Sequence, residues 1–122
     1  MTQITNPKQD KKYDLEERCL KFAKRINIYV KNLPKNIPNI ENGKQLVRSA
    51  GSVGVNYIEA NEALSRKDFA IRIKISRKEA RESEFWLELA EPLREFEQER
   101  AALLQEALEL RKIFGAILEK TK

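Results

Sequence analysis

The sequence predicts an all-α fold, an antiparallel up-down four-helix bundle, on three observations. Apolar residues recur at i, i+3/i+4 and i+7 in four successive segments, the spacing of one helix face. No stretch alternates apolar and polar with the period of two that a strand requires. Four glycines and four prolines in 122 residues leave few breaks, so the elements are few and long. A chain of this length holds one domain with one core. Its 41% hydrophobic and 35% charged residues suit helices with two contrasting faces.

Residues 1–12 carry no apolar run, which predicts a disordered or loosely attached tail ahead of a single domain over 13–122. They hold neither a secretory signal nor a membrane span, so a cytoplasmic location is expected. Asp14 with Glu17 reads as a capping box opening a first helix that runs to about Asn32. Leu15, Cys19, Phe22, Ile26, Tyr29, Val30 and Leu33 face inward, and Arg18, Lys21, Lys24, Arg25 and Lys31 lie opposite. Pro34 and Pro38 stop this helix.

A second helix is expected from Glu41–Lys44 to about Leu64, with Leu46, Val53, Tyr57, Ala60 and Leu64 inward. Gly51 and Gly54 each cost about 1 kcal/mol against alanine inside a helix. With Ala50 they read as a patch where a neighbouring helix comes close. Ser65 is a suitable N-cap for a third helix, about Arg66 to Glu91, so the turn before it is short and the two helices are antiparallel neighbours. Phe69, Ile73, Ala80 and Leu87 form its inward row. Ile71, Ile75, Trp86 and Leu89 form a second row well around the circumference, the expected contact with another subunit. Pro92 ends the helix, and a fourth, about Glu95 to Lys120, presents Phe96, Leu103, Ala107, Leu110, Phe114 and Ile117/Leu118.

Between the second and third helices two polar rows sit where core residues belong. Ser49, Ser52, Asn56 and Glu59 on one arm face Ser83, Glu79, Ser76 and Arg72 on the other, in pairs whose numbers add to a near-constant, as antiparallel helices of equal rise require. The expectation is a buried network in which Glu59 pairs with Arg72. Two carboxylates, an arginine and hydroxyls also have the composition of an acid–base or metal site. The pairing offers the simpler account, because buried charges need partners merely to be tolerated.

The chain has no histidine, which removes imidazole acid–base chemistry, Ser–His and Cys–His nucleophiles and the usual zinc sites. Gly51 and Gly54 follow no strand, so no phosphate loop is present. Cys19 is alone on an apolar face and reads as a buried structural thiol. No catalytic residue, metal or cofactor is expected. Net charge is +5 and uneven: residues 1–81 carry 18 Lys/Arg against nine Asp/Glu, residues 82–122 six against ten. The basic rows Arg18, Lys21, Lys24, Arg25 and Arg66, Lys74, Arg77, Arg81 are the candidate contacts to RNA or DNA. Of the aromatic residues, only Tyr13 stands clearly outside the expected core faces.

Arg48-Ser49-Ala50-Gly51-Ser52-Val53-Gly54-Val55-Asn56-Tyr57-Ile58-Glu59-Ala60 resembles the second-helix signature of the 23S ribosomal RNA intervening-sequence proteins, approximately Arg-Ser-x-x-Ser-(Ile/Val)-x-x-Asn-x-x-Glu-(Ala/Gly). Asp68-Phe69, Lys78-Glu79-Ala80-x-Glu82-Ser83 and Trp86-Leu87 look like the third-helix signature of that family. Leu104-x-Glu106-Ala107-x-Glu109-Leu110 is similar to its fourth helix. The likeness runs from Tyr13 to the carboxyl terminus, with Glu88 standing where a basic residue commonly follows Trp-Leu. It implies an up-down four-helix bundle, a ring-shaped homopentamer and no enzymatic activity. It also implies kinship with the accessory variability determinants of diversity-generating retroelements, which bind nucleic acid beside a reverse transcriptase. Two functions stand on these grounds: a nucleic-acid-binding oligomer, or an assembly module that holds a protein partner such as a reverse transcriptase.

Overall fold

In the computed structural model, which describes the backbone from residue 7 and the side chains from residue 14 to residue 122, helix α1 spans Pro7–Lys31. It begins about two turns ahead of the expected capping box, and Asp14 lies inside it. Proline suits a first helical turn, whose N–H groups have no partner within the helix. The expected tail therefore meets a helical backbone from Pro7, and its first six residues lie outside the described ones.

Helix α2, Ile37–Asn61, also starts earlier than the sequence implies, before Pro38 rather than after it. Asn36 caps it, its side-chain oxygen accepting from the Asn39 backbone N–H at 2.9 Å. Pro38 falls in the first turn, where it breaks no helical hydrogen bond. Because α2 ends at Asn61, Leu64 leaves the expected inward row and stands 98% exposed at the turn. Ser65 caps α3, Arg66–Leu89, as expected, accepting from the Asp68 N–H at 3.0 Å. A single 3-10 turn, Arg94–Phe96, leads into α4, Glu97–Lys120.

Short links make successive helices antiparallel, and each packs on its neighbour, with α1 closing the bundle against α4. Among the described residues there is no strand. The core holds the inward rows almost as spaced: Phe22, Ile26, Leu46, Val53, Ile73, Leu87, Leu103, Leu110 and Phe114 are all buried. Tyr29 meets Phe96 edge-on with ring centres 6.4 Å apart. Gly54 permits close approach, since a Cβ there would stand 3.1 Å from that of Cys19. Gly51 does not: among the described residues a Cβ there would meet no packed neighbour within 4 Å. Burial pushes the Cys19 thiol up to about 12, so it stays protonated and inert near neutrality.

Asn39, buried on α2, ties the two loops at one end of the bundle. Its amide donates to the carbonyls of Pro34 and Glu91 and its oxygen accepts from the Glu91 N–H, each at 2.9 Å. The α1–α2 loop is thereby tied to the segment after α3. Among the described residues no helix is long and apolar enough to cross a membrane.

Candidate nucleic-acid interface

The seam between α2 and α3 forms, with different partners from those the spacing implies. Ser49 and Ser83 meet as expected, with hydroxyl oxygens 2.8 Å apart and both fully buried. Ser76 donates instead to the Val53 carbonyl at 2.9 Å, satisfying a buried hydroxyl on the facing helix backbone. Asn56 donates to the Ser52 carbonyl and accepts from Arg72 at 3.1 Å.

The expected Glu59–Arg72 pair is absent, and both residues are exposed. They flank an open hollow at the α2–α3 turn that also includes Glu62, Asp68, Leu64, Ile71 and Ile75. Near the turn the polar rows rotate off the core, so neither charge needs a buried partner. Glu79 is the carboxylate that is buried, and its partner is Arg48 rather than Ser52. The Arg48 guanidinium forks onto both Glu79 oxygens at 3.2 and 3.3 Å and reaches Glu82 at 2.8 Å. The hydrogen bond to Glu79 raises the Arg48 pKa above its ordinary value. Equal-rise pairing missed Arg48 because a long side chain reaches past the residue directly opposite. Among the described residues no cluster of three carboxylate or thiol groups has metal-binding geometry.

The two basic rows fare differently. On α1, Arg18 forks onto Glu106 at 2.7 and 2.9 Å, and Arg25 onto Glu99 at 3.2 and 3.1 Å. The bond to Glu106 raises the Arg18 pKa. These two arginines clamp α1 to α4 and bring their own counter-charge, which removes them from the expected anion-binding row. Lys21 and Lys24 are exposed, but Lys21 shares its hollow with Asp14 and Glu17. On α3 three of the four expected cations, all but Arg66, come together. Lys74, Arg77, Lys78 and Arg81 line one groove of about 650 Å³ with Arg111 of α4, and among the described residues no carboxylate lines it. Arg111 was missed because it sits amid acidic residues of α4; Glu84 holds it at 2.7 Å and aims it to the α3 side. Arg66 is exposed at the start of α3.

The expected subunit row divides too. Ile71 and Leu89 are 45% and 47% exposed, and Ile75 is half-buried. Trp86 packs against the bundle core with its Nε1 enclosed and unpartnered, so it serves its own subunit. Its neighbour Phe85 is the outward aromatic, 54% exposed, with ring centres 5.0 Å apart in an edge arrangement. A longer unpartnered apolar row lies on α2, where Ile40, Val47, Val55 and Ile58 are all exposed around bare Gly51. Its helical spacing was present in the sequence, masked by the stronger inward row beside it. Tyr13, the aromatic expected outside the core, has its side chain outside the described residues.

The chain's similarities to other proteins agree with this architecture. The family model described as 23S rRNA-intervening sequence protein matches residues 11–116. A solved structure of a protein of unknown function from the S23 ribosomal protein family of Bacteroides thetaiotaomicron VPI-5482 is 33% identical, with a TM-score of 0.76. The match covers 89% of this chain and 98% of that one. No curated protein matches significantly.

Proposed function

The chain belongs to the 23S rRNA-intervening sequence protein family, and on that footing we propose that it is a non-enzymatic, homo-oligomeric bundle of the cytoplasm that binds nucleic acid through the α3–α4 groove. One observation carries the reading: Lys74, Arg77, Lys78 and Arg81 line that groove with no carboxylate among its described lining residues, and Arg111 completes it with its own charge offset by Glu84. Such a surface attracts the phosphate backbone and carries no base-specific donor set, so binding is sequence-indifferent. The lack of histidine supports the non-enzymatic part. The exposed α2 row supports self-association, and the family resemblance makes a ring of five the first expectation. In such an assembly the groove repeats in every copy, so weak phosphate contacts act together.

Binding of RNA and DNA at two salt concentrations tests this. Affinity should fall by roughly a thousandfold between 50 and 200 mM salt if about six phosphates are neutralised. The double reversal Lys74→Glu/Arg81→Glu should weaken binding uniformly across sequences and leave the oligomer intact. Absence of binding to either nucleic acid at low salt would defeat the reading, and a scaffold for a protein partner would take its place.

A further inference from the structure

Lys74, Lys78, Arg81 and Phe85 stand at i, i+4, i+7 and i+11 on α3, so the cationic row of the groove runs straight into an exposed aromatic. The row covers roughly 16 Å of helix at 1.5 Å per residue. From this juxtaposition we infer that the groove takes single-stranded rather than duplex nucleic acid, with one base stacked on Phe85 while its phosphates lie along Lys78 and Arg81. The inference rests on the nucleic-acid reading above and specifies the strand.

Three features support it. Phe85 is 54% exposed and packs nearly perpendicular to Trp86, with ring centres 5.0 Å apart, so an aromatic side chain anchored on the bundle remains open to solvent. A base in a duplex is already stacked on both sides, whereas every unpaired base has a π-face for an aromatic platform. Two of the three carboxylates beside the platform are engaged elsewhere, Glu82 with Arg48, which also holds Glu79, and Glu84 with Arg111. Arg81, one turn before Phe85, places a positive charge where the stacked nucleotide's phosphate would lie. Glu88, exposed and three residues beyond Phe85, marks where the cationic track stops.

The test compares oligo-U and oligo-dT with a duplex of equal length, using wild type, Phe85→Leu, Phe85→Tyr and Lys78→Glu/Arg81→Glu. Single strands should bind more tightly than duplex and quench the chain's one tryptophan, Trp86, which adjoins the platform. Phe85→Leu should weaken single-strand binding by about 5- to 150-fold, the equivalent of 1–3 kcal/mol for one stacked base. It should leave duplex affinity and the salt slope unchanged, and Phe85→Tyr should restore single-strand affinity. Single-strand binding that survives Phe85→Leu but is lost in Lys78→Glu/Arg81→Glu would overturn the stacking inference and leave the groove reading standing. Loss of oligomer mass in Phe85→Leu would instead assign Phe85 to a subunit contact and overturn it as well. Failure of wild type to bind any probe would remove both readings together.

Discussion

Arg48 and Glu79 show how one pair of side chains organises the α2–α3 seam. The carboxylate is buried and the guanidinium half-exposed, so the pair is screened on one side only. Arg48→Ala should therefore destabilise the fold by about 1–2 kcal/mol in denaturant unfolding, less than the 3–5 typical of a fully buried pair. Arg72→Ala, which the sequence reading expected to strand a buried carboxylate, should cost only about 0.5 kcal/mol, because Arg72 and Glu59 are exposed. Cys19 and Tyr29 add a pH dependence. Burial raises both groups, from 9.0 and 10.0, to about 12. Between the unfolded and folded values the native state holds more protons, so stability is complete below about pH 9 and falls as pH rises towards 12. Thermal unfolding across that range should show Tm declining, and Cys19→Ala should flatten the first part of the decline.

Helix α2 is the element that does most. Its inward row meets the core, its polar flank meets α3, and Gly54 lets α1 approach. Asn39 near its start satisfies three backbone groups of two separate loops. Asn39→Ala should destabilise by about 2–4 kcal/mol, since it leaves several backbone groups without partners. Gly51 is different, because among the described residues no packed neighbour comes within 4 Å of a Cβ placed there. Gly51→Ala should raise monomer stability by about 0.5–1 kcal/mol through lower unfolded-state entropy. If the same variant lowers the oligomer mass, the bare backbone at Gly51 belongs to a subunit contact. Unchanged mass would free that face from assembly.

For the molecule as a whole, self-association is the decisive measurement. Light scattering at micromolar concentration should give a multiple of the 14.2 kDa chain, and Val55→Glu on the exposed α2 row should reduce that mass while leaving helicity intact. Trp86→Glu, by contrast, should unfold the bundle rather than dissociate it, since Trp86 packs against the core of its own subunit. A mass equal to one chain would leave both apolar rows as ordinary surface and remove the avidity on which tight phosphate binding depends.

Periodicity determined the four helices and nearly every core position, from Phe22 to Phe114, because apolar burial is local in pattern and dominates the energy, and the short links determined their antiparallel order. Ser65 as a cap was legible from its residue type and the Ser49–Ser83 contact from helix register, both local properties of the chain. Only the tertiary structure decided which charges are spent inside the molecule. Arg18 and Arg25 looked like a nucleic-acid row until α4 brought Glu106 and Glu99 against them. Arg111 lies among acidic residues of α4, and Glu84 turns it into the α3 groove. A charged side chain has several rotatable bonds and reaches past its direct neighbour, so its partner is set by the packing of a distant helix and not by its place on its own.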